Sequence, residues 1–295
     1  MVSHESLCRV GGTALSALPQ VKLGSHSVSR LVCGSNPFLG YSYRSAAHDR
    51  WQRRTFTPQR ISEVLEKCLQ VGVNTVACNY DDARTMPQAL ELLEKRTGTR
   101  MQWIAYTHGG EGFQRESIGM IADDGAIACY IQGGVADSQF HYNYVGHVVP
   151  DQGDTLDKVV DWLALIRERG MVPGLGTHQP YIIRQAEARG YDLEFYTTPL
   201  NFLGIYCQYH AAVMAINETR KPVLAIKTLG GGLKTSPQDG LTCALASLKP
   251  TDMVAVGMEN EEIVEDNAAL VAGIIAALGR GCAAEPYPAR ARLNR

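Results

Sequence analysis

Apolar positions along this chain switch repeatedly between two spacings. Short continuous apolar runs are each followed by a segment whose apolar side chains return every three or four positions, the alternation expected of strand and helix. Residues 30–34 form the first run. Thr57 then offers an N-cap hydroxyl with Pro58 at the first helical position, and Ile61, Val64, Leu65, Cys68 and Leu69 share one helical face. Gly72 ends that helix, and residues 74–78 read as the second strand. A helix over 87–95 and a strand over 102–106 come next. Residues 126–131 are a fourth strand, and 156–168 a helix with Val159, Val160, Leu163 and Ile166 at one-face spacing. Strands at 171–176, 193–197, 223–227 and 253–256 complete eight, with helices over 181–188, 237–248 and 261–277.

Repeated β–α units with near-continuous apolar strands predict a parallel sheet covered by helices. Eight units in 295 residues fit a single closed (β/α)8 TIM barrel of the α/β class better than an open sheet. No stretch rich in Pro, Gly or Ser divides the chain. One barrel over 21–280 is expected, with an N-terminal extension over 1–20 and a tail over 281–295. Two intervals, 35–56 after the first barrel strand and 133–154 after the fourth, exceed the length of simple turns. In a barrel both rise over the C-terminal face, where chemistry is done. The first carries Tyr41, Tyr43, Arg44, Arg50, Trp51, Arg53 and Arg54, with Asp49 its only acid; the second carries Phe140, His141, Tyr142, Tyr144 and His147. Aromatics beside clustered arginines suit a lid over a small anionic or sugar-like ligand, touched by Tyr41, Arg44, Trp51 and Arg54. The alternative is a solvated arginine run with aromatics packed on the barrel rim.

Composition narrows the partners. With 28 Lys and Arg against 30 Asp and Glu, the formal net charge is -2, so no whole-protein field favours nucleic acid or an acidic membrane. No apolar run reaches the ~20 residues of a membrane span, and the first 20 residues lack the basic start and apolar core of a signal peptide. None of the 8 cysteines forms a C-x-x-C pair. A reduced, cytoplasmic protein with a small-molecule substrate is expected, with homo-oligomerisation left open.

A family resemblance enters through the last third. Residues 223–232, Val-Leu-Ala-Ile-Lys-Thr-Leu-Gly-Gly-Gly, resemble the strand-seven segment of aldo/keto reductases, and 256–267 resemble that family's strand-eight phosphate loop and following helix. Residues 21–31 look like its opening hairpin, Gly72-Val73-Asn74 like its turn before strand two, and 174–179 and 199–201 fall where its strand-five and strand-six signatures do. The likeness spans about residues 21 to 277 and implies a barrel that reduces carbonyls with NADPH through an Asp, Tyr, Lys and His tetrad. No slot of that tetrad holds the expected residue. The Asp slot falls on Ala77, the Tyr slot near Asp82 with Tyr80 two residues earlier, the Lys slot at Thr107 or His108, and the His slot on Gln132. His178-Gln179 replaces the Ser-Asn pair that would hold the carboxamide, Thr197 the Gln that assists it, and Glu259 stands where a cation or Ser usually meets the 2′-phosphate. Reduction needs a tuned acid for the nascent alkoxide, and a tyrosine near pKa 10 without its lysine is a poor one. Gly230, Gly231, Gly257 and Met258 keep the backbone positions for a nucleotide or phosphate, should one bind.

Other polar residues stand at the strand ends: Ser35 and Asn36; Cys78, Asn79, Asp81 and Asp82; Tyr106 and His108; Gln132; His178 and Gln179; Asn201; Lys227; and Glu259. Two histidines with an aspartate suit either a divalent metal held by His108, His178 and Asp81 or general acid/base catalysis near neutral pH. Lys227, Asp81 and Asp82 complete the candidate catalytic set; Asn36, Asn79, Tyr106, Gln132, Gln179 and Asn201 join the lid residues as candidate substrate contacts. Three functions follow: a non-redox isomerase, lyase or hydrolase acting on a small polar, anionic or sugar-like substrate; an NADP-dependent oxidoreductase with Tyr80 or Tyr106 as displaced proton donor; or a ligand-binding protein without catalysis.

Overall fold

Eight strands, nearly all of whose residues are buried, can satisfy their backbone groups and their side chains together by closing into a ring. The structure, a computed structural model, describes residues 9–10, 13–14, 18–81, 83–140, 156–232 and 234–279. Strands β1 (Arg9–Val10) and β2 (Thr13–Ala14) pair with each other, as do β3 (Gln20–Leu23) and β4 (His26–Ser29), both antiparallel. The barrel strands are β5 (Leu31–Gly34), β6 (Thr75–Asn79), β7 (Gln102–Tyr106), β8 (Ala128–Ile131), β9 (Val172–Gly176), β10 (Phe195–Pro199), β11 (Val223–Ile226) and β12 (Met253–Gly257). Each runs parallel to its neighbours, and β12 closes on β5 through Val254–Leu31 to Gly257–Gly34.

The barrel interior packs Val32, Ala77, Ile104, Phe195, Leu224 and Met253 against Val21, Leu23 and Val28 of the β3–β4 hairpin. Asn74 and Gln102 donate to Ser27 O at 3.0 and 2.8 Å, pinning the hairpin under the strands' N-terminal ends. That end is therefore plugged, and the opposite, C-terminal end is open. Also at the plugged end, Asp252 accepts from Val223 N and Lys249 N and pairs with Lys249 Nζ at 2.8 Å, while Arg30 donates to Asp252 O.

Helices cover the strands: α2 (Pro58–Gln70), α3 (Thr85–Thr97), α4 (Gln114–Asp123), α6 (Leu156–Glu168), α7 (Pro180–Arg189), α8 (Tyr209–Glu218), α9 (Pro237–Ser247) and α10 (Glu261–Ala277). Thr57 caps α2 with Pro58 in its first turn, as the sequence implied; Ser236-Pro237 does the same for α9. The α4 and α8 helices were not evident in the sequence. Both long intervals hold helix as well. Residues 35–56 contain a 3-10 turn (Asn36–Leu39) and α1 (Ala46–Thr55), capped by the Ser45 hydroxyl; the second opens with α5 (Gly133–Gln139), capped by the Gln132 side chain. The expected lid residues His141, Tyr142, Tyr144 and His147 lie outside the described residues, as does Asp82. Among the described residues no helix is long and apolar enough to cross a membrane.

Candidate functional site

The open end of the barrel holds a cavity of about 880 Å³. Of the residues expected there, Asn36, Tyr41, Arg44, Asn79, Tyr106, His108, Gln132, His178, Lys227, Gly231 and Gly257 line it. The others go elsewhere for definable reasons. Asp81 accepts from Thr85 N at 2.8 Å and so ties down the start of α3. Trp51 and Arg54 lie on α1 rather than on a loop. The helical turn carries them away from the cavity, and the Trp51 ring packs against His48 and Phe56. Asn201 is buried, clamping Ile205 N and O; Gln179 sits at the start of α7; Met258 is fully buried; Gly230 serves the turn after β11. Among the described residues no three His, Cys, Asp or Glu groups converge as a metal site, so the expected His108–His178–Asp81 set is not assembled. Cys78 is fully buried, and burial pushes its thiol up to about 12, which removes it as a nucleophile.

The two histidines differ sharply. His108 is exposed on the rim, where its Nδ1 accepts from Gly110 N at 3.0 Å and its ring meets Phe113. His178 is buried, and its Nδ1 lies 2.8 Å from Oδ2 of Asp137, a carboxylate with no exposure. Asp137 also accepts from Thr177 Oγ1 at 2.5 Å and from His178 N at 3.2 Å, so four contacts fix its plane. A neutral His178 donating Nδ1–H to this carboxylate carries its basic lone pair on Nε2. Gly133 permits the approach: a Cβ there would lie 3.0 Å from His178 Cε1.

Lys227 follows β11 directly, with a left-handed backbone, φ +58°. Its Nζ lies over the ring of Tyr43 at 4.1 Å and that of Tyr206 at 4.9 Å, and bonds the Tyr43 hydroxyl. Asn36 Nδ2 donates to the same hydroxyl at 2.9 Å. Burial among these groups lowers the Lys227 amine from 10.5 to about 8. The His178 ring packs 6.4 Å from that of Tyr206, so both basic groups adjoin one aromatic side chain. Asp49 holds the loop bearing Tyr43 in place, accepting from Ser42 N at 2.8 Å and Ser42 Oγ at 2.5 Å, bonds that lower its own pKa. Gly231 and Gly232, at φ +75° and +76°, bring the following turn against Tyr43.

Tyr106 and Tyr130 stack on the cavity floor at 5.2 Å, and burial drives both phenols well above their ordinary pKa. Tyr80 is buried outside the lining. On the α10 side stand Glu259 and Asp266. Glu259 Oε1 accepts from Gln52 Nε2 at 2.8 Å and lies 3.3 Å from His48 Nε2. Asn79 Oδ1, Gln52 Oε1 and Thr228 Oγ1, all on lining residues, are buried without a hydrogen-bond partner among the described residues. Asp137, Tyr206, Gln52 and Thr228 were not singled out from sequence. The only cue to Asp137 was an acid among small and apolar neighbours, Val135-Ala136-Asp137.

No family model matches the sequence, and no curated protein does. Solved structures are similar in fold. An assigned aldo-keto reductase of Pseudomonas aeruginosa superposes with a TM-score of 0.60 at 15% identity, over 87% of this chain and 96% of that one. The glycerol dehydrogenase of Gluconobacter oxydans gives 0.54 at 10%, over 92% and 99%. A Rubisco-like protein of Rhodopseudomonas palustris gives 0.50 at 12%, over 89% and 70%. The chain is thus structurally similar to aldo-keto reductases and shares their TIM barrel fold. Such distant likeness says nothing of the reaction.

Proposed function

We propose that this barrel is an enzyme of non-redox proton-transfer chemistry, an isomerase or lyase acting on a small polar carbonyl compound. The carrying observation is the buried Asp137 carboxylate holding His178 Nδ1 at 2.8 Å beside the cavity. A carboxylate so placed fixes the tautomer and stabilises the imidazolium formed when Nε2 takes a proton. Lys227, with its amine near pKa 8, supplies positive charge or a proton to an oxygen on which negative charge develops. The unpartnered Asn79, Gln52 and Thr228 atoms favour a ligand rich in hydroxyl or carbonyl groups, and Arg44 favours an anionic one.

Hydride transfer from NADPH fits these residues poorly, and no step is derived through it. Glu259 and Asp266 put two carboxylates on the side where the resemblance would place a 2′-phosphate. The cavity phenols Tyr106 and Tyr130 have pKa values raised by burial, with no cation paired to them among the described residues, which makes them weak acids for a nascent alkoxide. The test is exchange of the C–H proton next to the carbonyl of dihydroxyacetone, glyceraldehyde and pyruvate in D2O, followed by proton NMR. His178→Ala and Asp137→Asn should lower the rate by about 10²–10⁴-fold. Equal exchange in wild type and both variants would end the assignment.

A further inference from the structure

We propose that Lys227 is a covalent group: its amine condenses with the carbonyl of a small aldehyde, ketone or 2-oxo acid in the cavity and holds it as an iminium. This rests on the reading of the cavity as a proton-transfer site for carbonyl compounds.

The surroundings of Lys227 differ from those of the other buried or half-buried lysines. Among the described residues, Lys67, Lys158, Lys221 and Lys249 each pair with a carboxylate, and the most buried of these, Lys249, meets Asp252 at 2.8 Å. Lys227 shows no such pair among the described residues; its neighbours are the rings of Tyr43 and Tyr206 and the Tyr43 hydroxyl. Among the described residues no carboxylate holds the proton on the amine, and burial moves its titration toward neutrality. The backbone supplies an independent sign. Four non-glycine residues have left-handed φ among the described residues, and three are Lys227 and its two tyrosines, at +58°, +58° and +69°. Such conformations persist only where the surroundings enforce them, and they gather at working sites.

The step balances with these groups. The neutral amine's lone pair forms the C–N bond as the carbonyl π pair moves to oxygen, which takes a proton from the Tyr43 hydroxyl. The nitrogen gives up one proton, which restores Tyr43. A second proton, from the protonated His178 or from solvent, lets the hydroxyl leave as water. The product is a protonated iminium whose charge sits over the same two tyrosine faces that receive the ammonium. Electrons from a neighbouring C–H bond can then flow to the iminium nitrogen while His178 takes the proton.

Reductive trapping tests this. Purified full-length protein is incubated with pyruvate, glyoxylate or glycolaldehyde and sodium cyanoborohydride, then peptide-mapped by mass spectrometry. The expected result is a gain of the probe's mass less one oxygen on the Lys227 peptide, at least about tenfold faster than on the exposed Lys95 and Lys234. The adduct should be slower in Tyr43→Phe, absent from that position in Lys227→Met, and retained in His178→Ala. Preference for pyruvate and glyoxylate over glycolaldehyde would assign a carboxylate contact to Arg44. Labelling of Lys227 no faster than of Lys95 and Lys234, or no adduct with any probe, overturns the proposal. His178-dependent C–H exchange without trapping refutes the covalent role alone; trapping without such exchange refutes the role of His178 alone.

Discussion

Replacing Lys227 with Met separates what this amine costs the fold from what it contributes to chemistry. The wild-type amine titrates near 8 in the folded state and at 10.5 ordinarily, because of desolvation. The unfolded chain therefore binds more protons between those values, and stability rises with pH across that window. Below about pH 8 the folded protein carries the full penalty of a buried ammonium; above about pH 10.5 the penalty is gone. At 1.36 kcal/mol per tenfold change, the displacement corresponds to at most about 3.4 kcal/mol. Lys227 is only half-buried, and its contacts with Tyr43 and Tyr206 offset part of the cost by about 0.5–1 kcal/mol each. Solvent screening lowers the figure further, leaving about 1–2 kcal/mol. Met keeps the length and the apolar stem but not the charge. Urea unfolding should find Lys227→Met more stable than wild type at pH 7 by about 1 kcal/mol, with the gap closing as pH rises toward about 9.5. The variant should be inactive. A pH-independent gap, or one widening with pH, would refute the claim that Lys227 is held as a desolvated amine.

Two further substitutions test the plugged end of the barrel and the site at its open end. Asp252→Ala leaves Lys249 buried without its carboxylate at the plugged end, and should cost about 3–5 kcal/mol in urea unfolding; a loss under about 1 kcal/mol would show that the pair is solvated. Gly133→Ala places a methyl 3.0 Å from His178 Cε1 and 3.2 Å from Nδ1, so the ring must turn from Asp137; C–H exchange should fall about 10²-fold with the unfolding midpoint nearly unchanged, and full exchange would mean that the ring tolerates the shift.

The barrel was legible because its signals are local. Helix α10 was read over its observed span from apolar spacing and the chain before it, and Thr57-Pro58 announced α2 through cap chemistry. The site was legible where a strand end delivers its residue directly, as with His178 and Lys227, and at Tyr41 and Arg44 of the interval after β5. Helix α1 shows why the arginine-rich interval misled. Once Ser45 caps it, residues four apart share a face, so His48 and Gln52 turn to Glu259 while Trp51 and Arg54 turn away. Helix α5 opens with Gly133-Gly134, a sequence that reads as a turn, and owes its start to the Gln132 side chain on Val135 N. Asp137 went unread with it, and the Asp137–His178 contact joins residues 41 positions apart that no spacing rule connects. Tyr206 reaches Lys227 from the turn after β10, again through tertiary packing alone.

Whether this barrel moves protons rather than hydride can be read from a single reaction. Wild-type protein, NADPH and dihydroxyacetone, glyceraldehyde or pyruvate are combined in D2O, with NADPH absorbance and carbon-bound deuterium followed together. Proton transfer through His178 should place deuterium at the carbon beside the carbonyl, lost in His178→Ala, with no consumption of NADPH. Oxidation of NADPH that is indifferent to His178, with no deuterium incorporated, would contradict it.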